Sequence, residues 1–107
     1  MGGGVNGDPR LRTALGLYLG EEIKIRGIFE KYDAGRALIT HVRNALGYPL
    51  CMHIWVKANR WFDYVELLPG MEIELIGRVT IYQRRLKGYD ERVTDYGIDN
   101  PRKVRRA

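Results

Sequence analysis

From Glu21 onward the apolar positions recur with a period of two. Ile23, Ile25, Gly27 and Phe29 alternate with Lys24, Arg26, Ile28 and Glu30, the pattern of a half-buried strand that ends near Tyr32. Asp33-Ala34-Gly35 reads as a tight turn. A second strand follows over Arg36–Asn44, with Leu38, Thr40 and Val42 on one face and Ile39, His41 and Arg43 on the other, so the first two strands form a hairpin. Gly47-Tyr48-Pro49 turns the chain into a third strand over residues 50–56. Leu50, Met52, Ile54 and Val56 make its apolar face, and Cys51, His53 and Trp55 the opposite one.

In residues 57–68 the period lengthens. Trp61, Phe62, Val65 and Leu68 stand near helical spacing, which predicts one or two helical turns closed by Pro69-Gly70. Alternation returns over residues 71–85. Ile73, Leu75, Gly77, Val79 and Ile81 alternate there with Glu72, Glu74, Ile76, Arg78, Thr80 and Tyr82. A polar, basic connection with a tip at Lys87-Gly88-Tyr89 leads to a fifth strand over residues 92–98. Asp99-Asn100-Pro101 is expected to break that strand and release a basic tail, 102–107. At the other end, residues 1–20 are expected to be a flexible Gly-rich arm or a short helix. Asp8 and Pro9 suit its cap and first turn, while Gly16 and Gly20 weaken it.

Five strands with a short helical segment between the third and fourth predict an all-β fold. The two long strands each carry a central glycine, Gly27 and Gly77, where a small sheet needs to bend sharply. The layout matches a five-stranded Greek-key barrel of the OB type over residues 21–101. The segments Ile25-Arg26-Gly27-Ile28-Phe29, Ala37-Leu38-Ile39-Thr40-His41-Val42 and His53-Ile54-Trp55-Val56 carry a further likeness. So do Pro69-Gly70-Met71-Glu72-Ile73 and Gly77-Arg78-Val79-Thr80-Ile81-Tyr82. In them the chain resembles the small one-OB single-stranded-DNA-binding proteins of phages and archaea and single OB modules of replication protein A. The resemblance implies a non-catalytic single-strand binder acting in replication, recombination or repair. Its binding surface would be the face of strands two and three with the loops that join strands one to two and four to five.

Charge localises the expected surface. The net charge is +5, and from Met1 to Gly77 nine basic and nine acidic residues cancel. The last thirty residues hold nine basic against four acidic, so the whole excess lies there and creates a one-sided field. Tyr82, Arg84, Arg85, Lys87, Tyr89 and Arg92 interleave aromatic rings with cations. That is the composition that neutralises phosphates and stacks bases. Arg78 shares their strand, and an ion pair with Asp95 is its alternative use. Trp55, with His53 beside it and Arg43 on the neighbouring strand, forms either a second stacking platform or part of the core beneath residues 57–68.

The residues give little warrant for chemistry. Two histidines and a single cysteine, Cys51, lack the paired spacing of a metal site. There is no Gly-rich phosphate loop, and no cofactor is expected. No apolar run approaches the ~20 residues of a membrane span, and the first residues lack a signal-peptide pattern. A cytoplasmic protein that is not an enzyme is expected. It would bind single-stranded DNA, in preference to RNA, with little sequence preference, and a homo-oligomer or contact with replication or repair proteins is compatible with that role. The alternatives are an OB module for RNA or tRNA and a protein-interaction OB subunit of a larger complex.

Overall fold

The computed structural model describes residues 12–107; the predicted Asp8-Pro9 helix start lies outside them. A 3-10 turn at Leu15–Tyr18 precedes β1 (Glu22–Asp33), β2 (Arg36–Asn44), β3 (Pro49–Lys57), α1 (Arg60–Asp63), β4 (Glu72–Arg84) and β5 (Val93–Arg106). The turns explain most of these boundaries. Ala34 and Gly35 both have positive φ, 52° and 77°, as a two-residue hairpin turn requires. Asn44 closes the next hairpin with its side chain, whose Oδ1 accepts the backbone N–H groups of Leu46 and Tyr48 at 2.9 and 3.0 Å. Asn59 caps α1 by accepting from the Trp61 N–H at 3.1 Å, and its Nδ2 donates to the Pro101 carbonyl at 2.7 Å. The helical turn is thereby tied to β5.

The five strands form one antiparallel sheet in the order β3-β2-β1-β4-β5. The first four follow the 4-1-2-3 order of a Greek key. Its centre is the β1–β4 ladder, from Glu22 opposite Arg78 to Ile28 opposite Glu72. The predicted glycines sit at its two ends and share one geometry. Gly27 alone opposes His41 and Val42 on β2, and Gly77 alone opposes Asn100 and Pro101 on β5. The first residue of each opposing pair is left-handed, His41 at φ 53° and Asn100 at φ 50°. These are bulges that bend a strand and increase its twist. A Cβ on Gly27 would stand 2.5 Å from Ile39 Cγ2 and 2.8 Å from the Thr40 carbonyl, and one on Gly77 would strike Ile98 Cγ2. A third bulge sets Leu75 against Lys103 and Val104, with Lys103 at φ 53°.

The bends wrap the sheet around one core, built from Leu15, Ile25, Phe29, Ile39, Ile54, Phe62, Ile73, Leu75 and Val79 among others. The fold departs from the sequence pattern in four places. β5 does not end at Asp99-Asn100-Pro101. A bulge absorbs the turn-forming residues and the proline, which such an irregularity tolerates, and the strand runs on to Arg106. The expected tail is therefore paired strand, with Arg105 opposite Glu74 and Arg106 opposite Ile73. Met52 and Ile81, predicted on apolar faces, are 66% and 50% exposed, because nothing packs over those ends of β3 and β4. The end of the expected arm is part of the core, since Leu15 is fully buried. Finally, the sheet is not closed, and β3 and β5 are its two edges.

Gly27→Ala and Gly77→Ala are each expected to cost about 1–3 kcal/mol of stability through overpacking against a neighbouring strand. Urea denaturation would measure this; an unchanged midpoint would show that the bulges do not need glycine.

Candidate nucleic-acid interface

β3 and β5 approach each other without pairing, and the Arg12 side chain bonds to both. Arg12 donates from its backbone N–H to Asp95 Oδ1 at 2.7 Å and from Nη1 to Asp95 Oδ2 at 3.1 Å. Its Nε donates to the His53 carbonyl on β3 at 3.0 Å, and Nη1 reaches the Tyr82 hydroxyl at 2.6 Å. Asp95 is fully buried and Arg12 is 6% exposed. Arg84 brings a second guanidinium to Asp95 Oδ2 at 3.1 Å, and the Tyr96 N–H donates to Oδ1 at 2.8 Å. A carboxylate removed from water needs such partners. Two guanidiniums thus converge on one carboxylate.

Beside this clasp lies a cleft of about 590 Å³, lined by Arg36, Trp55, Tyr82, Arg84 and Arg85 with Arg12 at its base. Trp55 is half-buried, not fully enclosed. The Arg36 guanidinium carbon stands 5.0 Å from the Trp55 ring centroid, a cation–π arrangement. The fold thus brings the tryptophan of β3 and the basic-aromatic end of β4 to one concavity. Arg36 is a cleft residue that the sequence pattern did not single out. Its neighbour is set by register: Leu38 opposes Trp55 and Arg36 opposes Lys57, which makes Arg36 and Trp55 a diagonal pair.

Other candidates stand elsewhere. Arg43 pairs with Glu72 at 3.0 Å. His53 is exposed, and both residues border a groove of about 820 Å³ with Leu50, Cys51 and Met52, which shares Arg12 with the cleft. Arg78 donates to the Gly20 carbonyl at 2.6 Å and lies 4.0 Å from Glu22, so its ion-pair partner is Glu22 and not Asp95. Lys87 and Arg92 are exposed on the β4–β5 hairpin. Tyr89 packs there against Leu86 and Val93, a small hairpin core that uses the ring expected to stack on a base. Arg84 serves the clasp as well as the cleft.

Much of the C-terminal charge is drawn to carboxylates from earlier in the chain. Arg102 bonds Glu22 at 2.9 Å, and that hydrogen bond, with the nearby charges of Arg102 and Arg78, holds the Glu22 carboxyl below its ordinary pKa. At Glu74 burial pushes the pKa up, but Arg105, Lys24 and Arg26 together outweigh it and hold it low. Cys51 is pushed up to about 11, chiefly by burial. Among the described residues no three His, Cys, Asp or Glu side chains converge to hold a metal ion, and no helix is long and apolar enough to cross a membrane.

Asp95→Ala is expected to cost about 3–5 kcal/mol, because it leaves a buried guanidinium without its anion; a loss under 1 kcal/mol in denaturant titration would show that the clasp is not needed. Cys51 should be alkylated by iodoacetamide at pH 8 about a hundredfold more slowly than an ordinary exposed thiol, since so little thiolate is present; a rate matching a free thiol would contradict the burial.

Comparison with protein-family models, with curated proteins and with solved structures finds no match for this chain.

Proposed function

We propose that the chain binds single-stranded nucleic acid, DNA first, through the cleft between β3 and β4–β5, and that it does so without catalysis. One observation carries this reading. Trp55 and Arg36 on one wall and Tyr82, Arg84 and Arg85 on the other line one concavity, which also holds Asp99. Single-strand binding calls for that combination of phosphate neutralisation and aromatic or guanidinium faces for the bases. The strand order supports it, because β3 brought against β5 would complete an OB barrel, a fold that binds oligonucleotides on this side. A role in replication, recombination or repair follows from the same resemblance.

The apolar groove beside β3 favours a second reading, a protein-interaction subunit. Leu46, Tyr48 and Met52 near it are 82%, 65% and 66% exposed, more than scattered surface residues would require.

Trp61→Phe leaves Trp55 as the only tryptophan. Its emission should be quenched on titration with a dT oligomer at low salt, and the affinity should fall steeply as salt is added. Arg36→Ala with Arg85→Ala should weaken binding and reduce the log–log salt slope by about 1.4, roughly 0.7 per lost phosphate contact on a single strand. These residues are better probes than Arg84, whose removal also disturbs Asp95. Absence of quenching at low salt would overturn the proposal and leave the protein-interaction reading.

A further inference from the structure

A second pocket lies on another side of the molecule, where α1 meets β1, β4 and the last turnless stretch of β5. It measures about 420 Å³ and shares no residue with the cleft. Trp61 and Tyr64 form its aromatic side, with ring centroids 6.1 Å apart at 90°. Lys24, Lys103 and Arg105 surround it, and Glu74 is at its floor. Glu74 is 3% exposed and is met by Arg105 Nε at 2.5 Å, Arg26 Nε at 3.4 Å and Lys24 Nζ at 3.6 Å. A single carboxylate among these cations fixes their positions and leaves the pocket with a positive surplus.

We propose that this pocket binds a nucleotide, with the base against Tyr64 and Trp61 and the phosphate among Lys103, Arg105 and Lys24. Three features point that way together. Tyr64 holds its ring 72% exposed at the mouth of a concavity, where a flat aromatic ligand can cover it. Trp61 is held in place by the Asn59 cap, and Asn59 is bonded to Pro101 on β5, so the aromatic wall is fixed relative to the cations before any ligand arrives. The cations come from two different strands, Lys24 from β1 and Lys103 and Arg105 from β5, and line the same pocket as the rings. Aromatic rings and anion-attracting groups in one pocket match the two ends of a nucleotide. This goes beyond the cleft, because the pocket would take a nucleotide whether or not a strand occupies Trp55.

The two tryptophans separate the two sites. Trp55→Phe leaves Trp61 as the only emitter, and the probe is the tetranucleotide dT4, compared with inorganic phosphate and with thymidine alone. Saturable quenching of Trp61 by dT4 is expected, with far weaker responses to either fragment. Tyr64→Ala should weaken dT4 about tenfold through lost stacking. Lys103→Asn removes the charge at a left-handed position that asparagine adopts readily, so it should fold normally and weaken dT4 several-fold. Three results would each overturn the proposal: no quenching of Trp61, quenching that neither variant alters, or quenching by inorganic phosphate as strong as by dT4. Trp55 emission in Trp61→Phe reports the cleft separately, so the cleft can fail while the pocket stands, and the reverse.

Discussion

Asp95 has no contact with solvent, and an isolated carboxylate there would be strongly disfavoured. Its solution is to draw in two guanidiniums, one from Arg84 on the adjacent strand and one from Arg12, 83 residues earlier in the chain. Because Arg12 also bonds the His53 carbonyl on β3 and the Tyr82 hydroxyl on β4, satisfying one charge fixes the separation of the two sheet edges. It also fixes the rotamer of a cleft tyrosine. The placement of Arg12, Tyr82 and Arg84 at the cleft therefore follows from one desolvated anion. The arrangement is costly in desolvation and specific in geometry, as buried ion networks can be.

The rest of the curvature comes from backbone sterics. Among the described residues five register shifts interrupt the ladders, and at three of them, Gly27, Leu75 and Gly77, one residue stands against two on the strand beside the central β1–β4 pair. At the two glycines the neighbouring strand passes too close for a side chain. The bends carry β3 and β5 around the core until they approach each other and Arg12 bonds to both.

Alternation made the five strands legible, and β2 was read to its observed ends because a glycine turn and Asn44 bound it. The fifth strand was not legible past Ile98, since Asp, Asn and Pro mark a chain break and a bulge alike. Alternation also cannot say whether an apolar face is covered, which is why Met52 and Ile81 looked like core. Charge was legible as a total but misleading as a map. Arg102 and Arg105 belong to the basic end of the sequence, yet in space they face Glu22 and Glu74. Trp55 and the basic end of β4 were both visible as candidates. Their meeting in one cleft, and the part played by Arg36, depended on strand register and sheet order, which no local pattern encodes.

The Arg12–Asp95 contact also sets where this domain begins. By periodicity the strands start at Glu21, and residues 1–20 read as a flexible arm or a short helix. In the fold, Leu15 fills the core and Arg12 neutralises a strand at the far end of the chain. A fragment cut at the first alternating residue would keep every strand and still lose a structural counter-ion. Equally, a cut after Pro101 would remove the last pairs of β5. The folded unit is thus wider at both ends than the alternation pattern suggests, and its Arg12–Asp95 contact joins residues 83 apart, of the kind that forms late because its loop entropy must be overcome first.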